Sequence, residues 1–135
     1  ARLQREFSGD VFLVTQNVDD LHERGGSRQV CHMHGQLRAM LCTACGRSMP
    51  APEEFDVLSA CPACGVAGSL RPDVVWFGEE VRFIGEAARH FAAATKILAI
   101  GTSLSVYPAA ALVDEARYSA EKYLVAPEAE SVPYG

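Results

Sequence analysis

Two Cys-x-x-Cys pairs set the tightest limit on what this chain can fold into: Cys42 and Cys45, then Cys61 and Cys64, with fifteen residues between the pairs. Four thiolates at that spacing can close tetrahedrally around one Zn2+. Gly46 and Gly65 directly follow the second cysteine of each pair, where a metal knuckle turns tightly and aims backbone N–H groups at sulfur. All four positions are filled by protein, which leaves no open position to activate water, so the expected metal is a structural staple. A thioredoxin-type redox pair is the rival, and two pairs with no βαβ context beside either argue against it. Disulfides in a secreted protein are the other use of such cysteines. No basic segment followed by an apolar one opens the chain, so zinc in the cytoplasm is the expectation. The remaining cysteine, Cys31, reads as a small buried apolar residue.

The length of 135 residues fits one domain with at most a small insert. With 49% hydrophobic and 21% charged residues the chain can bury a core, unlike a disordered segment. Its apolar stretches, such as Val11 to Val14 and Ile97 to Ile100, fall far short of the roughly 20 residues of a membrane-spanning helix. A net charge of −5 with scattered Lys and Arg lacks the footprint of a nucleic-acid binder, and a basic or peptide-like partner fits better. Ala1 to Phe7 reads like the tail of a helix rather than a natural beginning, as in a fragment.

Asp10 to Thr15 is a short run of β-favouring apolar residues that ends in Gln16 and Asn17, the profile of a buried strand delivering side chains at its carboxyl end. Open α/β sheets bind ligands at that end. Val18 to Glu23 reads as a helical turn closed by Gly25 and Gly26, and Val30 to Leu37 as a second strand. From Leu41 to Gly68 the texture changes to Cys, Pro, Gly and Ala, as in an inserted module. Leu70 to Gly78 is extended, Glu79 to Lys96 carries apolar residues at helical spacing, and Lys96 to Ser103 repeats the buried strand that breaks at glycine. Tyr107 to Arg117 is a further helix with Pro108 in its first turn, and Lys122 to Ala126 a further strand. The expected class is α/β, a parallel doubly wound sheet with an inserted small zinc-ribbon module. Residues 39–69 form that insert in this reading, and residues 1–38 and 70–135 the sheet-forming domain around it.

Several side chains carry chemistry only in context. Gln16, Asn17 and Asp19 suit hydrogen bonds to the hydroxyls of a ribose or the amide of a nicotinamide, and Asn17 and Asp19 equally suit turning and capping the helix that follows. His32 and His34, two apart, fit a metal pair, a catalytic base with a neighbour, or two polar residues on an exposed face; singly, the exposed face is favoured. His22 and His90 are given no role. Gly101, Thr102 and Ser103 after an apolar strand make a plausible phosphate cradle, though neither a Walker A loop nor a full Gly-x-Gly-x-x-Gly. Val74 to Glu79 is either core or an edge that pairs with a peptide strand.

In order and spacing, Thr15 to His22 (Thr-Gln-Asn-Val-Asp-Asp-Leu-His), His34 to Leu37 (His-Gly-Gln-Leu), the paired cysteines, Arg71 to Glu79 (Arg-Pro-Asp-Val-Val-Trp-Phe-Gly-Glu) and Gly101 to Ala109 (Gly-Thr-Ser-Leu-Ser-Val-Tyr-Pro-Ala) resemble the sirtuins, NAD-dependent protein lysine deacylases. The similarity is greatest to bacterial members and their desuccinylase-like relatives and covers about residues 10 to 117. The resemblance implies a Rossmann-like domain with a zinc-bearing lobe, in which NAD meets an acyl-lysine protein or peptide. It implies that Gln16, Asn17 and Asp19 hold the nicotinamide ribose and carboxamide, and that Gly101, Thr102 and Ser103 contact the rest of the dinucleotide. His34 matches the catalytic base; Val74, Phe77, Gly78 and Glu79 match the segment that pairs with substrate and lines the acyl-lysine tunnel. The implied products are deacylated lysine, nicotinamide and O-acyl-ADP-ribose. The family's opening Gly-Ala-Gly-x-Ser segment has no counterpart here, nor does its Val-x-Asn-x-Glu strand after Arg117. Two other readings stand beside this one: a zinc-ribbon protein-binding module without catalysis, and a sirtuin fragment with no activity of its own.

Overall fold

The computed structural model describes residues 1–54, 56, 58–102 and 104–126. They belong to two compact units, Ala1–Arg82 and Phe83–Gly135. The fold is α/β, with a parallel strand pair in each unit and an antiparallel, cysteine-bearing sheet between those pairs in chain order.

The first unit opens with helix α1 (Arg2–Glu6) and strand β1 (Leu13–Thr15), which pairs in parallel with β2 (Val30–His32). The crossover contains one short helix, α2 (Leu21–Arg24), ended by Gly25 as its sequence signals. The expected strand from Val30 to Leu37 is broken. Its first part is β2, Met33 and His34 turn, and Gly35–Cys42 is β3 of the antiparallel sheet. Gly35 is the reason: its φ is +80°, and a Cβ there would lie 2.0 Å from the Asp73 carbonyl oxygen. A left-handed backbone cannot continue a strand, and no larger residue fits so close to another chain segment.

Strand β3 lies between β4 (Ser48–Pro50) and β5 (Leu70–Val74). The β3–β5 register is irregular between Gln36 and Met40, opposite Asp73 and Pro72. Proline has no N–H to give the ladder, so the extra residues of β3 bulge where pairing is already interrupted. The three residues of β4 lie inside the Cys- and Pro-rich stretch and carry no strand signal of their own. Among the described residues, Met33, Met40, Cys42 and Cys61 are the buried apolar side chains of this unit. Cys31, expected to be buried, is half-buried instead.

The second unit contains helix α3 (Ile84–Ala93), strand β6 (Lys96–Ile100), a 3-10 helix over Ala109–Glu115 and strand β7 (Glu121–Val125), parallel to β6 in register from Lys96↔Glu121 to Ile100↔Val125. Helix α3 starts later than its apolar spacing predicts because Phe83, at its N-cap, has a φ of +55°, outside the helical region. The expected helix after Pro108 is a 3-10 helix that buries Ala109 with Leu112 and Ala110 with Val113. Both pairs are three apart, and three residues per turn stack them on one face. The strand expected from Lys122 is β7. Ala87, Ile97 and the buried face of the 3-10 helix form the core of this unit. Among the described residues no helix is long and apolar enough to cross a membrane.

Candidate functional site

The four cysteines are held by two knuckles with the same hydrogen bonds. In the first, Gly46 N–H donates to Cys42 O at 2.8 Å and Cys42 N–H to Arg47 O at 3.0 Å. In the second, Gly65 N–H donates to Cys61 O at 2.8 Å and Cys61 N–H to Val66 O at 3.0 Å. The left-handed φ of Gly46 (+71°) and Gly65 (+75°) makes each turn tight enough to bring its two thiols to one point. All four Sγ atoms lie within 4.8 Å of one another, with Cys42 to Cys64 at 3.7 Å and Cys45 to Cys61 at 4.0 Å. A tetrahedral Zn2+ with bonds of about 2.3 Å needs sulfurs roughly 3.8 Å apart, so the residues present fit the ion.

The cage is electrostatically uneven. The Ser69 hydroxyl, 3.2 Å from its sulfur, brings the Cys42 thiol down to about 6 against the opposing effect of burial. That hydroxyl has one hydrogen and also faces Val66 O at 2.7 Å, so it turns to sulfur as the thiol ionises. For Cys64 the Val66 backbone N–H pulls downward, but burial and the sulfurs of Cys61, Cys42 and Cys45 outweigh it and push the thiol up to about 11. Crowded thiols that resist joint ionisation are what a divalent cation relieves.

His34 sits in the turn between β2 and β3. Its Nδ1 lies 3.0 Å from the Gln16 carbonyl oxygen, which only accepts, so Nδ1 carries the hydrogen and Nε2 presents the lone pair of the neutral ring. The loop after β1 is held from several sides. The Thr15 hydroxyl accepts from Asn17 N–H at 3.1 Å, Met33 N–H donates to Thr15 O at 3.1 Å, and His32 Nδ1 faces Asn17 O at 3.3 Å. The other ring nitrogen of His32 is 2.8 Å from a Glu23 carboxylate oxygen. His32 is only 3% exposed, so the expectation of two histidines on an exposed face does not hold. The chain turns after His32, and both rings reach back to the 16–17 backbone.

The segment after β5 closes on the same turn. Val75 N–H donates to His34 O at 2.8 Å and Arg82 N–H to Met33 O at 3.0 Å. The Arg82 guanidinium pairs with the buried Asp73 carboxylate, which also accepts from the Ser48 hydroxyl at 2.5 Å. Arg82 holds the Asp73 carboxyl below the usual range; burial opposes this, and Ser48 and Arg71 support it. Nearby, Arg71 donates to Val74 O at 3.0 Å and to Glu79 at 2.7 Å, and the second Glu79 oxygen accepts from Trp76 N–H at 3.0 Å. The Trp76 N–H, followed by Arg71 against burial, keeps the Glu79 carboxyl low. Trp76 and Phe77 are left exposed.

Gln16, Asn17, Asp19 and His34 thus lie in the first unit, in the loop after β1 and the turn bonded to it, with Val75 of the 74–79 segment bonded to the His34 carbonyl. Asp19 accepts from Leu21 N–H at 3.1 Å, the local turning role foreseen as one of its two uses. In the second unit Gly101 follows β6 with a φ of +65° and open space where a Cβ would stand, and the Thr102 hydroxyl accepts from Leu104 N–H at 3.1 Å. Ser103 lies outside the described residues. The pairing of His32 with Glu23 and those among Arg71, Asp73 and Arg82 carry no sequence signal, because they depend on tertiary approach.

The Sir2 family model matches residues 1–108. The chain is 50% identical over 117 residues to the NAD-dependent protein deacylase SIR2rp3 of Trypanosoma brucei brucei, covering 84% of this chain and 47% of that protein. It is 48% identical over 109 residues to an NAD-dependent protein deacylase of Caulobacter vibrioides, covering 81% and 46%. Among solved structures, a Sir2 homolog–NAD complex shares 35% identity at a TM-score of 0.77 and covers 95% of this chain and 56% of that one. A Sir2 bound to acetylated peptide shares 30% at 0.76, covering 93% and 54%. The chain spans about half the length of the curated relatives it matches. The matched stretch runs unbroken from the first helix, through the His34 turn and the cysteine cage, to Pro108, and the chain belongs to the Sir2 family.

Proposed function

We propose that this chain contributes the zinc module and the catalytic histidine of an NAD-dependent deacylase that removes acyl groups from protein lysines. The observation that carries this reading is the seat of His34: its Nδ1–H is tied to Gln16 O, and its own carbonyl accepts from Val75, at the start of the peptide-pairing segment. One residue thereby links the two reactant sites the reaction needs. Gln16, Asn17 and Asp19 supply the amide and carboxylate groups that orient a nicotinamide riboside, and Gly101, Thr102 and Ser103 the open backbone and hydroxyls that approach the remaining dinucleotide. NAD, when bound, would supply the ribose carbon that the acyl oxygen attacks as nicotinamide leaves, and the ribose hydroxyl that carries the acyl group in the product. His34 Nε2 accepts a proton from a ribose hydroxyl, with the imidazole kept in one tautomer by the Gln16 carbonyl. Val74, Phe77, Gly78 and Glu79 present the substrate strand and its acyl-lysine.

The zinc ion, held by Cys42, Cys45, Cys61 and Cys64, is structural: four protein sulfurs complete its tetrahedron. We read residues 39–69 as a zinc-binding insert in a partial Rossmann-like NAD-binding domain made of residues 1–38 and 70–135. The antiparallel pairing of β4 with the end of β3, in a chain whose β1–β2 and β6–β7 pairs are parallel, supports this. Thiolates kept reduced for the metal fit the cytoplasm. An acyl-lysine protein or peptide is the partner, in keeping with the acetylated peptide bound by a solved relative.

The deciding experiment supplies NAD and a panel of acetyl-, succinyl- and longer acyl-lysine peptides and detects O-acyl-ADP-ribose by mass spectrometry alongside zinc content. Product that depends on both NAD and acyl-peptide is the expected result. Full zinc occupancy with no product from any peptide removes the catalytic reading and leaves the zinc cage standing.

A further inference from the structure

The turn that follows β5 exposes two large aromatic side chains. Trp76 is 56% exposed and Phe77 fully so, and Gly78, at a φ of +89°, leaves open space where a Cβ would stand. Apolar residues of that size rarely stay at the surface in a fixed shape without something to hold them there. Here one carboxylate does so. Glu79 Oε1 accepts from Arg71 at 2.7 Å, Glu79 Oε2 accepts from Trp76 N–H at 3.0 Å, and the other arm of the Arg71 fork donates to Val74 O at 3.0 Å. Glu79 N–H also donates to Trp76 O at 3.0 Å. The bonds form a closed ring from the end of β5 through Arg71 and Glu79 back to Trp76.

We propose that Arg71 and Glu79 are positioning residues that clasp Val74–Gly78 into the shape on which a substrate strand pairs. The identity of that partner rests on the deacylase reading; the clasp itself does not. Both Glu79 oxygens are engaged within the chain, so the side chain acts through the loop rather than by touching substrate. An isolated exposed ion pair has little effect. This pair differs because the Arg71 fork and the Glu79 carboxylate each serve a backbone group as well as each other, fixing both ends of the turn. Arg71 therefore needs its planar fork, and a lysine point charge cannot bond Val74 O and Glu79 together in the same way.

Trp76 is the chain's single tryptophan and reports on the clasp directly. In Glu79→Ala and Arg71→Ala, Trp76 should become more readily quenched by acrylamide, and the Kd for an acetyl-lysine peptide, read from Trp76 emission, should rise on the order of fivefold. Glu79→Gln, which keeps one acceptor, and Arg71→Lys, which keeps the charge, should fall between the alanine variants and the wild type in both readouts. If an alanine variant loses zinc or unfolds, these two milder variants decide the matter. Wild-type quenching in zinc-loaded Glu79→Ala overturns the clasp. Raised quenching with an unchanged peptide Kd overturns its positioning role. Raised quenching in Glu79→Ala, with no peptide bound even by the wild type, upholds the clasp and overturns the deacylase reading.

Discussion

The imidazole of His34 is tied through Nδ1 to the carbonyl oxygen of Gln16, 3.0 Å away. One hydrogen bond thus sets which ring nitrogen is free to take a proton. Nitrogen NMR of the zinc-loaded protein should show His34 as the Nδ1–H tautomer when neutral. The opposite tautomer would place the lone pair against Gln16 and remove the geometry on which the proposed base depends.

Replacing His34 with Ala should leave zinc content and fold intact while lowering turnover by about 10²–10⁴-fold, the usual contribution of a positioned acid–base group. Product formation at the wild-type rate by a zinc-loaded variant would take His34 out of the reaction.

The paired substitution of Cys42 and Cys64 by Ala should release the metal and unfold the β3–β4–β5 sheet. Zinc binding in small cysteine sites contributes on the order of 10 kcal/mol or more of folding free energy. Metal analysis and circular dichroism read the two effects separately. Stoichiometric zinc in the double variant is the result that defeats the staple.

Asp73 should make stability depend on acid. Arg82 lowers its carboxyl in the folded state, and Ser48 adds to this. A carboxylate so lowered contributes stability that is complete above its unfolded value near ~3.9 and is lost as pH falls through the lower folded value. Asp73→Asn should therefore be less stable at pH 7 by about 1–3 kcal/mol, with a shallower loss below about pH 4. Urea midpoints across pH test both parts, and parallel curves for the two proteins would exclude the role.

Gly35→Ala should cost about 2–4 kcal/mol, because the new Cβ meets the Asp73 carbonyl and the backbone is left-handed. The damage should also displace His34, so turnover should fall in protein that remains folded by circular dichroism. A variant as stable as the wild type would show that the β3–β5 approach is looser than its geometry.

Much of this was legible along the chain. The zinc cage was readable because a metal knuckle is a local object: two cysteines and a glycine within five residues bring two sulfurs together without distant help. Strands β1, β6 and β7 and the short turn of α2 followed from apolar runs and glycine stops. The break after His32 was not readable, because the need for glycine at position 35 arises from Asp73, far along the chain. The late start of α3 at Phe83 and the three-residue stacking of the 3-10 helix were hidden for the same kind of reason, since side-chain spacing alone does not report a left-handed φ or a tighter pitch.

By itself the sequence determined the α/β class and the clustering of the four cysteines, which follow from short-range pattern, while Gln16, Asn17, Asp19 and His34 stood out from other readings of the same spacing only through the family resemblance. Only the tertiary structure decided which oxygen holds which ring nitrogen, that His32 is buried against Glu23, and that Arg71 and Arg82 fasten the segment beside His34. Those pairings join residues that are apart in the chain. They form only after loop closure has brought the strands together, and that step leaves no local periodicity to read.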